Sequence, residues 1–121
     1  MTQSRQQTGD RGEALACAYL REKGYRIITT NWHCKQGEID IVAADGDCLV
    51  FVEVRTRKSA NTEAAFASIN PRKRKKLTQT AYAYLNAHQL DDTEWRIDMA
   101  AIALPYNKPP VIDHVENALD W

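Results

Sequence analysis

Apolar and polar positions alternate most sharply between Glu38 and Arg55. Ile39, Ile41 and Ala43 lead into Asp45-Gly46, and the run Cys48-Leu49-Val50-Phe51-Val52 resumes the two-residue period. Two apolar runs joined by Asp-Gly predict a β-hairpin with Asp45 and Gly46 as its loop. That register sets Ala44 opposite Asp47, Asp40 opposite Phe51 and Glu38 opposite Glu53. One face then carries Ile39, Ile41, Ala43, Val50, Val52 and Val54. The other carries Val42, Leu49 and Phe51 near the turn and Glu38, Asp40, Glu53 and Arg55 at the far end.

The rest of the chain resolves around this hairpin. The first ten residues are polar and are expected to be loose and flexible. Helical spacing of Ala14, Leu15, Ala18 and Tyr19 begins near Arg11 and stops at Gly24. Residues 25–32 are rich in β-branched and aromatic side chains and predict a strand. Residues 58–68 lack periodicity and read as a loop. Asn70-Pro71 is a helix start, an N-cap followed by proline in the first turn, and Leu77, Ala81, Tyr84 and Leu85 carry that helix to about His88. Residues 95–102 form a further strand ended by Pro105, and residues 111–115 a short edge strand. The order is α-β-β-β-α-β, an α/β sandwich with a mixed central sheet and a single domain over residues 1–121.

Charge changes this picture through its distribution. The 121 residues hold 16 basic and 16 acidic side chains, so net charge names no partner. Between residues 53 and 76, however, eight basic residues stand against Glu53 and Glu63, while residues 88–121 hold seven acids against Arg96 and Lys108. One basic face on a neutral protein is the expectation. Three cysteines, Cys17, Cys34 and Cys48, cannot all pair, and none has metal-ligand spacing. Cys17 and Cys48 are expected to act as small buried hydrophobes. The polar N-terminus has no secretory pattern and no apolar run reaches spanning length, so a cytoplasmic protein without a membrane partner is expected.

Two features carry candidate chemistry. Glu38, Asp40 and Glu53 gather like charges at one end of the hairpin, with Asp40 diagonal to Glu53 at about 7–8 Å between backbones. Like charges in that arrangement need a cation between them. Arg55 or Lys35 can supply it, as on any polar strand face, and so can a divalent metal ion. The second feature is Arg72-Lys73-Arg74-Lys75-Lys76 in the first turns of a helix, where the macrodipole disfavours cations by about 0.3–1 kcal/mol each. Either the run is a solvated face or it meets phosphate at the helix end. Lys73 lies on the same stripe as Leu77 and Ala81, so it must snorkel outward or reach a negative partner, for which the acidic hairpin end is placed.

These residues resemble a known family. Gly12-Glu13, Ala16, Tyr19-Leu20, Gly24, Asn31, Gly37-Glu38-Ile39-Asp40, the run from Phe51 to Arg57, Lys73, Leu77, Ala81, Tyr84-Leu85 and Arg96-Ile97-Asp98 follow the order of the YraN-like bacterial proteins. That uncharacterised group is similar to the PD-(D/E)XK nuclease superfamily, which holds restriction enzymes and archaeal Holliday-junction resolvases. The resemblance implies a restriction-endonuclease-like fold and a metal-dependent endonuclease that hydrolyses DNA phosphodiester bonds. It implies magnesium or manganese held by Asp40 and Glu53, with Glu13 an additional metal or water-positioning acid and the Val54 carbonyl a further oxygen ligand. Arg55 stands where the superfamily places lysine. An arginine clamps phosphate or stabilises charge but cannot serve as a base, so a non-catalytic nucleic-acid-binding module is the alternative. Arg57, Lys58, Arg72, Lys73 and Lys76 are the candidate phosphate contacts. The resolvase likeness extends the expectation to branched DNA, and gripping both arms of a junction calls for a homodimer.

Overall fold

A five-stranded sheet organises the chain, with α1 (Arg5–Glu22) on one face and α3 (Pro71–Ala87) on the other; the computed structural model describes residues 4–118. The strands β1 (Arg26–Cys34), β2 (Gly37–Asp45), β3 (Cys48–Arg57), β4 (Trp95–Ala103) and β5 (Val111–Val115) lie side by side in chain order. Every neighbouring pair is antiparallel except β3 and β4, which are parallel. Reaching a parallel position requires a long crossover. The segment between β3 and β4 supplies it, with α3 and the five-residue helix α2 (Glu63–Ala67). Alpha/β sandwich architecture and a mixed sheet are therefore as expected. The helix α2 falls in the stretch read as loop, and it is too short to show a helical period. Its buried Ala65 packs against Met99, Ala101 and Ala118.

The helix α1 starts six residues earlier than the apolar spacing indicates. Ser4 caps it by accepting from the Gln7 backbone N–H at 3.1 Å, and Gln7 Oε1 accepts from the Ser4 N–H at 2.9 Å. This reciprocal pair ties down two otherwise unpartnered donors, so the polar segment 5–10 is helical. Residues 1–3 lie outside the described residues. The inward stripe of α1 is also turned from the expected one: Thr8, Gly12, Ala16, Cys17 and Leu20 are buried, whereas Ala14 and Ala18 are exposed. Small side chains let the helix approach β3 closely. A Cβ on Gly12 would lie 1.8 Å from Thr56 Oγ1 and 2.8 Å from Thr56 Cβ.

The hairpin forms, but in a register shifted by two. Ala44 faces Leu49, Val42 faces Phe51, and Asp45 pairs with Cys48, so the loop is Gly46-Asp47. Of the hairpin loop residues only Gly46 takes a positive φ, +59°, and glycine at the first loop position suits a turn of that kind. A shift of two preserves which residues share a face. Ile41, Ala43, Val50 and Val52 pack under α1, and Val42, Leu49 and Phe51 under α3 with Leu77, Ala81, Tyr84 and Leu85. Ile39 breaks the alternation. The β2–β3 ladder ends at Ile41–Val52, and Ile39 joins the α3 side.

On α3, the Asn70 side chain accepts from the Lys73 backbone N–H at 2.9 Å with Pro71 in the first turn, the start that the sequence predicts. Asp98 on β4 is fully buried, accepting from Arg96 Nε at 2.9 Å and the Asn117 N–H at 3.0 Å, with His114 Nε2 at 2.7 Å. Burial alone would raise its carboxyl, but the hydrogen bonds from His114 and Arg96 outweigh burial and hold it below the ordinary value. Cys48 is half-buried: it packs against the core under α1 as a small hydrophobe, while its sulfur also lies 3.7 Å from Arg96 Nη1, where the strand end opens onto this polar cluster.

The helix–sheet contact sets opposite expectations for two glycines of α1. Gly9→Ala meets nothing within 4 Å and should stabilise by about 0.5–1 kcal/mol through backbone entropy. Gly12→Ala should instead destabilise by about 1–3 kcal/mol, since Thr56 or the helix must move. Thermal unfolding of both variants measures the difference. A Gly12→Ala protein as stable as Gly9→Ala would contradict the close contact.

Candidate functional site

The end of the β2–β3 ladder places two acids in contact. Ile41–Val52 is the last paired position, and the next residues outward are Asp40 and Glu53. The register shift brings them together directly, where the Asp-Gly loop register gave only a diagonal. Asp40 is half-buried and its Oδ2 accepts from the Val54 backbone N–H at 2.8 Å. That bond fixes the carboxylate across the strand gap. Glu53 is 7% exposed, and burial, the hydrogen bond with Asp40 and the Asp40 charge push its carboxyl well above the usual range, against the pull of Arg55 and Lys73. These effects favour the protonated form of Glu53, which can hydrogen-bond to the Asp40 carboxylate. Glu38, expected opposite Glu53, instead meets His33 Nε2 at 3.2 Å on the exposed side of the strand.

Glu13 of α1 lies on the same side as Asp40 without completing a group of three. Its Oε1 accepts from Asn31 Nδ2 at 2.8 Å, and Asn31 adopts a left-handed backbone, φ 54°, within β1. Burial raises the Glu13 carboxyl, the Asn31 hydrogen bond lowers it, and the Asp40 charge raises it further, for a net upward shift. Among the described residues no group of three or more His, Cys, Asp or Glu side chains is arranged to hold a metal ion. The carboxyl cluster is thus a touching pair, Asp40 and Glu53, with Glu13 apart on a hydrogen bond to β1.

Two clefts flank the pair, and Asp40 and Glu38 line both. The larger, of about 800 Å³, runs along α1 and the end of β3 and contains Glu13, Asn31, Arg5, Arg55, Arg57 and Lys58. The smaller, of about 380 Å³, runs toward α3 and contains Glu53, Lys73 and Lys76. Lys73 does reach the acidic end of the hairpin, close enough for its charge to act on Glu53. Arg72 is exposed on α3 and lines neither cleft. Arg55 is mostly buried, with Nη2 3.6 Å from Glu53 Oε2, and its Nε has no hydrogen-bond acceptor among the described residues. Arg57 donates to the Thr56 carbonyl at 2.7 Å. Arg5 was missed from sequence. The Ser4-x-x-Gln7 capping pattern was the signal that would have put it on a helix beside the cleft. Asn31 entered from sequence through the family resemblance alone, since a left-handed residue inside a strand leaves no mark in hydrophobic periodicity.

The raised carboxyl of Glu53 links stability to pH. The folded chain holds a proton that the unfolded chain has lost once pH passes the ordinary carboxylate range, so folded stability falls as pH rises from there toward the folded value of Glu53. Metal-free protein should lose thermal stability across that window. Glu53→Gln should remove this part of the slope, because an amide keeps the hydrogen bond to Asp40 without a proton to lose. Parallel slopes for wild type and variant in melts over a pH series would show that Glu53 ionises as an ordinary carboxyl.

Comparison with known proteins places the chain. Residues 12–102 match the model of the uncharacterised protein family UPF0102. A UPF0102 protein of Roseiflexus castenholzii is 45% identical over 123 aligned residues, covering 99% of this chain and 98% of the relative. One from Chloroflexus aurantiacus is 44% identical over 116 residues, 95% of this chain and 94% of the relative. One from Geobacter sulfurreducens is 42% identical over 112 residues, 93% and 88% of the two chains. The matched span runs from Gly12, where α1 meets the sheet, through the Asp40–Glu53 pair to β4, and the chain belongs to the UPF0102 family.

Proposed function

We propose that this protein is a metal-dependent nuclease that hydrolyses phosphodiester bonds of nucleic acid at the Asp40–Glu53 pair. The observation that carries the reading is the buried pair itself, two carboxyls in contact with basic clefts on either side. Such a pair is costly to bury unless something positive serves it. Two carboxylates fit a magnesium or manganese ion, which takes a few protein oxygens and completes its shell with phosphate and water. Asp40 and Glu53 would hold the ion, and when bound it supplies charge against the phosphate and a more acidic water. Glu13, tied to Asn31, has the place and the raised affinity for a proton that suit it to position water in the larger cleft.

Arg55 acts here as a phosphate clamp. Its Nη2 lies 3.6 Å from Glu53 Oε2 and its side chain lines the larger cleft, so the guanidinium is placed to bridge the acid pair and a phosphate lying in that cleft. The cations then divide by position: Arg5, Arg57 and Lys58 flank the pair on one side, Lys73 and Lys76 on the other. A strand lying over Asp40 meets positive charge both before and after the scissile phosphate. The same arginine favours the second reading, a binding module without catalysis, because no lysine stands beside Glu53 on β3 to serve as base.

Cleavage and binding separate these. Wild type should cut DNA with magnesium or manganese, Asp40→Asn should not, and Arg55→Ala should lose about 10²–10³ in rate. Cleavage absent in wild type but present in Arg55→Lys would make the natural protein a binding module. Calorimetry should find metal binding that strengthens as pH rises, since the Glu53 proton must leave, and that disappears in Asp40→Asn. Neutralising Lys73 and Lys76 should reduce the salt slope of DNA binding by about one each, and Arg72→Ala should reduce it less. No metal binding by wild type at any pH would remove the nuclease reading.

A further inference from the structure

A groove beyond the smaller cleft has a chemistry that the acid pair does not use. It measures about 740 Å³ and is lined by Gln36, Gln79, Tyr82, Asn86, Asp91 and Trp95. Tyr82 is 59% exposed, and its ring meets Trp95 at 5.2 Å in an edge-to-face contact of 75°. Trp95 in turn meets Phe51 at 5.8 Å, so the platform is anchored to the core under α3. The groove continues the smaller cleft. Lys76, Gln79 and Tyr82 follow one another at i, i+3 spacing along α3, with Asn86 one turn on, and Gln36 lies between Cys34 and Gly37, which line that cleft. Charge changes along the way: the cleft offers Lys73 and Lys76, the groove one acid and three amides.

We infer that this groove receives an unpaired base of the nucleic-acid strand whose phosphates lie at Lys73 and Lys76. The inference rests on the nucleic-acid reading given above. An exposed aromatic ring held by a half-buried one offers a flat face for stacking, and neutral amides can pair with base edges. Asp91 disfavours a phosphate there. Neither cleft beside the acid pair is lined by Phe, Tyr or Trp, so of these three surfaces the groove is the one that offers a stacking ring. The substrate implied has a single-stranded segment next to the reacting phosphate. A continuous duplex keeps its bases stacked and leaves the groove unused.

The test compares full-length wild type, Tyr82→Ala and Tyr82→Phe on a short single-stranded DNA and on a duplex of the same sequence, by fluorescence anisotropy over a series of salt concentrations. Wild type should prefer the single strand. Tyr82→Ala should weaken single-strand binding about tenfold or more and leave duplex binding and the salt slope alone. Tyr82→Phe should keep wild-type affinity, which also excludes misfolding as the cause. Unchanged single-strand affinity in Tyr82→Ala, or equal loss on duplex, overturns the inference while the acid-pair reading stands. So does sedimentation in which Tyr82→Ala dissociates a homodimer, which would make the groove a contact between copies of this chain. Binding of neither DNA by wild type withdraws the nucleic-acid reading and this inference together.

Discussion

Two carboxyl groups in contact at the rim of a core can stay together only if they share a proton or a cation. In this protein Asp40 and Glu53 are held in that position by the backbone. The β2–β3 ladder ends one residue before them, and the Val54 N–H grips Asp40 across the gap. Glu53 has little access to water to offset a second charge, so burial and Asp40 raise its hold on a proton. Much of the surrounding structure supports this contact. Gly12 lets α1 sit on β3 at Thr56, which carries Glu13 into the larger cleft, and α3 carries Lys73 to the other side. The acid pair is therefore held by a hydrogen bond at the point where the two clefts meet.

The positive groups around the pair divide between the two clefts. Arg5, Arg55, Arg57 and Lys58 line the larger cleft and Lys73 and Lys76 the smaller, with Asp40 and Glu38 lining both. Asp98, by contrast, is a structural acid. It is fully buried, saturated by Arg96, His114 and Asn117, and joins β4 to the segment after β5. Both acids are buried, yet only one has partners enough to be content with its charge. That difference in partnering, rather than burial, marks the functional candidate.

Much of this was legible in the sequence, and the failures have physical causes. The hairpin faces came through because side-chain alternation survives a register shift of two, even though the Asp-Gly loop was placed one residue too early. Asn70-Pro71 marked α3 because capping chemistry is local. The start of α1 was missed where a capping box stood in polar residues without apolar spacing, and with it Arg5. The inward face of α1 was misread because exposed alanines look the same as buried ones in sequence; close packing at Gly12 decides which is which. Helix α2 is shorter than two turns, too short for a period. The expected group of three acids became a pair, since Glu13 answers to Asn31, a contact between elements that no local pattern records.

The central claim, that Asp40 and Glu53 share one proton that a divalent ion can replace, is tested most directly by side-chain carboxyl carbon-13 NMR of Glu53 over a pH titration, with and without magnesium. The account predicts that metal-free Glu53 titrates well above the ordinary carboxylate range and that saturating magnesium brings it into the ionised form at neutral pH. A Glu53 that titrates as an ordinary carboxyl, unchanged by magnesium, would contradict it.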